Sequence, residues 1–172
     1  MQAPKSQPRK LCFVCMGNIC RSPLAAAVFQ HKATQRGMPQ RFVIDSAGTG
    51  NWHAGESPDP RARGVAKAHG VTLHGTARQI TRSDFGRFDL LLCMDEENRD
   101  CLISLGAPAE KLRLLLACDP NASCREVPDP YYGGPDGFET VYRLIDSACD
   151  ALLDELTGAA KGGMTGRIDT KP

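Results

Sequence analysis

Apolar residues in this chain alternate between short unbroken runs and stretches at helical spacing. Leu11-Cys12-Phe13-Val14 is continuous, the pattern of a strand buried on both faces, and predicts a strand over 10–14. Leu24, Ala27, Val28 and His31 fall on one face of a helix over 23–36, stopped by Gly37. A second strand is predicted over 41–46, followed by the turn-rich Ala47-Gly48-Thr49-Gly50. A helix over 60–69 has Asp59 as its cap and Gly70 as its stop. The apolar run over 88–94 is a central strand, and a helix over 96–105 ends at Gly106. A fourth strand covers 112–116. The last helix, over 137–156, carries Val141, Leu144, Ile145, Ala148 and Leu152 as its apolar stripe.

Strands alternating with helices predict a parallel, doubly wound α/β sheet. In such sheets ligands sit beyond the carboxyl ends of the strands. Two irregular stretches, 48–59 and 119–136, are the long loops of this scheme, where functional residues tend to collect. At 172 residues the chain is one domain with a real core. The polar lead over 1–9, with two prolines and no apolar centre, reads as flexible. So does the tail over 158–172, which leaves 10–157 as the folded unit.

Charge and cysteine usage narrow the function classes. A net charge of +1 argues against a general nucleic-acid or membrane surface but not against a local basic pocket. No stretch has the apolar length of a membrane span. Cys12, Cys93, Cys101 and Cys149 lie in apolar segments, where free cysteine behaves as a small hydrophobe. No cysteine or histidine cluster has zinc spacing, and a reducing cytoplasm is the expected compartment.

The candidate chemistry lies directly after the first strand, where Cys15-Met16-Gly17-Asn18-Ile19-Cys20-Arg21-Ser22-Pro23 joins a thiol to a helix. Gly17 and Asn18 suit the positive-φ turns that aim successive N–H groups inward as an anion nest. Ser22 is a good N-cap and Pro23 suits the first helical position, so the helix N-terminus faces the same nest. That partial positive charge favours both a phosphate and a thiolate at Cys15. Arg21 adds a planar fork for two phosphate oxygens. The bare spacing is weak, because a chain with 8 cysteines and 14 arginines supplies about 0.65 such pairs by chance. Cys93 and Arg99 share it, but the loop between them has no glycine and three carboxylates that would repel an anion. Cys93 is therefore read as a buried strand cysteine.

These motifs closely resemble the low-molecular-weight protein tyrosine phosphatases. The resemblance spans 10–156 and rests on V-C-M-G-N-I-C-R-S-P over 14–23, D-S-A-G-T over 45–49 and P-D-P-R-A over 58–62. It also rests on A-R-Q over 77–79, C-M-D-E over 93–96 and V-P-D-P-Y over 127–131. It implies a single-domain, flavodoxin-like sheet of four parallel strands with helices on both faces, and an enzyme that uses no metal or organic cofactor; a monomer is the default expectation. The implied activity is hydrolysis of phosphotyrosine in a protein substrate through a cysteinyl-phosphate, releasing inorganic phosphate. It assigns Cys15 as nucleophile, Arg21 as phosphate clamp and Asp129 as general acid. Asn18 and Ser22 are implied as loop organisers and Ser46 as support for Asn18.

Met16 and Ile19 are expected to line the site, with Trp52, Tyr131 and Tyr132 as aromatic walls for a phenyl ring. Isoleucine at position 19 favours phosphotyrosine, since a related branch acting on phosphoarginine tends to have threonine there. Cys20, in the same loop, is implied as a redox partner that protects Cys15 through a reversible disulfide. One departure stands out: relatives often carry a histidine two residues before Ala77, where this chain has Gly75, with His74 one position early. Two other classes stay open. A thioredoxin-linked arsenate reductase on this fold needs two further cysteines as a relay, for which Cys118 and Cys124 are the candidates. A non-catalytic phosphate-binding module would be expected to lack the nucleophile or the acid.

Overall fold

The computed structural model describes residues 6–134 and 136–159. Most of the expected tail, from residue 160 on, and the first five residues of the lead lie outside that range. Nine main elements follow in order among the described residues: β1 (Arg9–Cys15), α1 (Arg21–Gln35), β2 (Phe42–Gly48), α2 (Pro60–Ala68), α3 (Arg82–Arg87), β3 (Leu90–Cys93), α4 (Glu96–Ser104), β4 (Leu112–Leu114) and α5 (Asp136–Thr157). The four strands form one parallel sheet in the order β2-β1-β3-β4.

The unbroken apolar run of β1 serves two cores. Leu11 and Phe13 point to one face, where α1, α2 and α5 pack. Cys12 and Val14 point to the other, with Phe85 and Phe88 from the α3 segment and Leu102 from α4. All four β1 residues are fully buried. That two-sided burial explains why the run does not alternate with polar residues.

The buried face of α1 is rotated from the predicted one. Ala25, Phe29 and Ala33 enter the core beside Leu24 and Val28, while Ala27 and His31 are only half-buried. Phe29 decides the orientation, because its ring packs 5.9 Å from that of Phe13 and meets Phe42 edge-on at 5.1 Å. On the outer edge, Lys32 Nζ reaches Asp146 at 2.9 Å and Asp150 at 2.8 Å, tying α1 to α5. The α5 stripe is as expected but wider. Phe138, Tyr142, Cys149 and Leu153 are also buried, and Leu144 lies at its margin.

Two predicted boundaries move. The run over 88–94 contributes only Leu90–Cys93 to the sheet, because Phe88 instead closes the short α3. That helix has a capping box between Thr81 and Asp84 and was not predicted. At the other end of the sheet, β4 stops at Leu114, and Leu115–Cys118 turns into a 3-10 helix. Among the described residues no helix is long and apolar enough to cross a membrane.

Candidate active site

β1 ends at Cys15 and α1 begins at Arg21, so the loop between them lies beyond the carboxyl edge of the sheet. Its carbonyls are held outward. Those of Cys15, Met16 and Ile19 accept N–H bonds from Thr49 (2.9 Å), Gly50 (3.0 Å) and Asp59 (2.8 Å). The Asn18 N–H turns the other way, to Cys15 Sγ at 3.3 Å, in keeping with an anion nest.

Of the two residues expected at positive φ, only Asn18 adopts it, at 57°. Asparagine tolerates that region because its short amide bonds locally. Gly17 has a different reason to lack a side chain, since a Cβ there would meet His53 Cδ2 at 3.0 Å. Gly48, at the end of β2, is more tightly constrained. A Cβ would lie 2.8 Å from the Met16 carbonyl oxygen and 3.1 Å from that of Gly50. Gly48→Ala is therefore expected to lower the unfolding free energy by about 1–3 kcal/mol, the range for overpacking a filled site. Urea denaturation checks this, and an unchanged midpoint would mean that the phosphate loop yields without cost.

Ser22 is not the N-cap. The helix already runs from Arg21, with Cys20 at the cap position and no side-chain cap bond, and Pro23 is the third helical residue. The Ser22 hydroxyl is engaged elsewhere, 2.9 Å from Cys15 Sγ, while accepting from Asn18 Nδ2 at 2.8 Å. Because the amide Nδ2 can only donate, the serine proton is left for the sulfur or for the more distant Ala47 carbonyl at 3.5 Å. The Asn18 backbone N–H donates to the same sulfur at 3.3 Å. Asn18 is itself held from behind, its Nδ2 donating to Ser46 Oγ at 2.9 Å and its Oδ1 accepting from the Arg78 N–H at 2.9 Å. His74 is exposed, and among the described residues its side chain has no hydrogen bond. The Asn18 amide is satisfied without it.

Arg21 is buried, and one end of its guanidinium is fully occupied. Nη1 donates to Asp95 Oδ2 at 2.6 Å and to the Val127 carbonyl at 3.1 Å. Nη2 lies 3.6 Å from Asp129 Oδ2. Burial pulls the Arg21 pKa down, but Cys15, Asp95 and Asp129 together outweigh it and hold the group above its ordinary value.

A cleft of about 360 Å³ opens over Cys15 and Arg21. Met16, Gly17, Ile19 and Cys20 line it from the loop after β1, and Trp52, Asp129, Tyr131 and Tyr132 from the two long loops. Trp52 is 66 % and Tyr132 87 % exposed, so both are open to an incoming ring. Asp129 Oδ1 accepts the Tyr131 N–H at 3.0 Å, an Asx turn that fixes the carboxylate to its own loop. Asn18, Ser22 and Ser46 stand outside the cleft lining.

Three contributors escaped the sequence reading. His53 lines the cleft with its Nδ1 2.8 Å from Glu56 Oε2. Its position beside Trp52 was the one available signal. Asp95, counted from sequence as one of three carboxylates hostile to an anion at Cys93, is the partner of Arg21. Arg61 bonds both Asp59 and the Tyr131 carbonyl.

The remaining thiols differ sharply. All eight cysteines are free. Burial, with Asp59 adding to it, pushes the Cys20 thiol up to about 12. Burial likewise pushes Cys93 up to about 12, in keeping with a strand cysteine. Cys118, one half of the candidate relay, is buried and pushed up to about 11 by burial, whereas Cys124 is exposed. A thiol so weakly acidic is a poor first partner for disulfide exchange.

Residues 10–161 match the family described as low molecular weight phosphotyrosine protein phosphatase. A low molecular weight protein-tyrosine-phosphatase of Streptomyces coelicolor is 43% identical over 159 residues, covering 89% of this chain and 96% of the relative. The low molecular weight phosphotyrosine protein phosphatase of Sus scrofa is 41% identical, covering 86% of this chain and 96% of its own. The crystal structure of a protein tyrosine phosphatase from Entamoeba histolytica superposes with a TM-score of 0.84 at 37% identity, covering 87% of this chain and 97% of that one. The four parallel strands, the loop after the first of them and these matches along the whole folded chain have one meaning: the protein belongs to the low molecular weight phosphotyrosine protein phosphatase family.

Proposed function

We propose that this enzyme hydrolyses phosphotyrosine in a protein substrate, with Cys15 as nucleophile, Arg21 as phosphate clamp and Asp129 as general acid. The observation that carries the assignment is the environment of Cys15 Sγ, which faces the Ser22 hydroxyl and the Asn18 N–H inside a loop closed by Arg21. Both groups within hydrogen-bond distance of the sulfur, the Ser22 hydroxyl and the Asn18 N–H, can donate to it.

The sulfur attacks phosphorus in line, forming the S–P bond as the P–O bond to the phenol breaks. Charge on the three equatorial oxygens falls to the loop amides and the Nη2 side of Arg21. Asp129 gives its proton to the departing phenolate. It then takes one from the water that attacks the cysteinyl-phosphate, releasing inorganic phosphate and the free thiolate. Trp52 and Tyr131 flank the substrate ring, and Ile19 gives the cleft an apolar surface in keeping with an aryl rather than a guanidinium group. The eight free cysteines favour a reducing, cytoplasmic setting.

Rapid acid quench of the enzyme with an aryl phosphate tests the proposal. Peptide mass spectrometry is expected to find one phosphoryl group, on Cys15. Steady turnover with no phosphoryl adduct at any quench time, or an adduct on another residue, would overturn the assignment.

A further inference from the structure

Arg61, the second residue of α2, connects two segments that the proposed reaction needs at a fixed separation. Its Nε and Nη2 donate to Asp59 Oδ1 and Oδ2 at 3.1 and 2.9 Å, a two-point grip that fixes the plane of the guanidinium. Asp59 is in turn tied to the phosphate loop, its N–H donating to the Ile19 carbonyl at 2.8 Å. The free edge of the guanidinium, Nη1, donates to the Tyr131 carbonyl at 3.1 Å. The cation also lies 5.3 Å from the centre of the Tyr131 ring and 4.8 Å from that of Phe138.

Asp129 thus sits between two anchors. Two residues before it, Val127 donates its N–H to the Met94 carbonyl at 2.8 Å and accepts from Arg21. Two residues after it, Tyr131 is held by Arg61, and the Tyr131 N–H is the one bonded to the Asp129 carboxylate. We propose that Arg61 is a positioning residue for the general acid: gripped by Asp59 on the phosphate-loop side, it holds the Tyr131 carbonyl and so keeps the Asp129 carboxylate in the cleft lining. The proposal rests on Asp129 being the acid.

The competing reading is that Arg61 merely pairs with Asp59 at the start of α2. The two separate cleanly, because a lost helix contact would not distinguish good leaving groups from poor ones. Arg61→Ala is expected to lower kcat/KM for phosphotyrosine by about 30-fold, while an aryl phosphate with a strongly acidic phenol loses less than about 3-fold. In an Asp129→Ala background, Arg61→Ala is expected to leave the ratio between the two substrates unchanged, since the group it aims is gone. Arg61→Gln, which keeps a donor and most of the bulk, is expected to fall between wild type and Arg61→Ala in that ratio. The Arg61 side chain is 48% exposed, so its loss leaves no cavity in the core.

Equal losses on both substrates for Arg61→Ala, or an undiminished effect in the Asp129→Ala background, overturn the proposal. If Asp129→Ala itself shows no leaving-group dependence, the acid assignment fails and this inference with it. If Asp129→Ala shows the dependence and Arg61→Ala does not, the inference alone fails.

Discussion

Cys15→Ser is expected to abolish turnover of phosphotyrosine, with kcat lower by on the order of 10⁵, the scale on which removing a covalent nucleophile acts. The substitution is conservative in shape. Ser22 and the Asn18 N–H still face the new oxygen, and Arg21 keeps its bonds to Asp95 and Val127. What is lost is chemical. A hydroxyl gives up its proton far less readily than a thiol, and among the described residues no histidine or carboxylate is hydrogen-bonded to the Cys15 side chain to take it. The anion site itself is untouched, so the variant is expected to bind a phosphotyrosine peptide about as tightly as the parent. Calorimetric titration of the peptide beside a turnover assay tests both halves. Residual activity above about one hundredth of the parent would mean that phosphorus is attacked by something other than this sulfur.

The sheet and the place of the Cys15 loop at its carboxyl edge were legible because each is a local pattern. Leu11-Cys12-Phe13-Val14 is apolar without alternation, and two separate cores claim alternate members of it. The loop over 15–21 declares itself through glycine, asparagine and arginine within seven residues. What the sequence hid is long-range. The salt bridge of Arg21 with Asp95 spans 74 positions, and the Arg61 bond to the Tyr131 carbonyl spans 70. Neither leaves a periodicity. α3 was missed because its six residues bring one buried apolar side chain, Phe85, and a glycine. Ser22 shows how a sound local rule loses. Serine before proline is an ordinary helix start, yet here the hydroxyl has a better use beside Cys15 and Asn18, and the helix begins one residue earlier without a side-chain cap. Asp95 has a second use that its own loop does not show: a carboxylate that would repel an anion there also anchors the guanidinium of Arg21, which arrives from the first residue of α1.

Asp129→Ala is the change whose consequence depends most on what the substrate carries. The carboxylate sits 3.6 Å from Arg21 Nη2, its other oxygen bonded to the Tyr131 N–H. It lines the same cleft as Cys15, as the proposed acid must. Tyrosine departs as a phenolate whose conjugate acid has a pKa of about 10, a poor leaving group without a proton. For such a substrate kcat/KM is expected to fall by about 10²- to 10³-fold, within the range for one general acid. For an aryl phosphate with a strongly acidic phenol, kcat/KM is expected to change by less than about 5-fold, since no proton is needed at departure. This ratio is the diagnostic because kcat/KM covers only steps up to formation of the cysteinyl-phosphate. The second step has its own signature. With the base also gone, hydrolysis of the intermediate slows, so kcat is expected to fall for both substrates and the phosphoenzyme to accumulate. A plot of log kcat/KM against phenol pKa is thus expected to be steeper for Asp129→Ala than for the parent. Parallel lines would remove Asp129 from the role of acid, whatever the size of the drop.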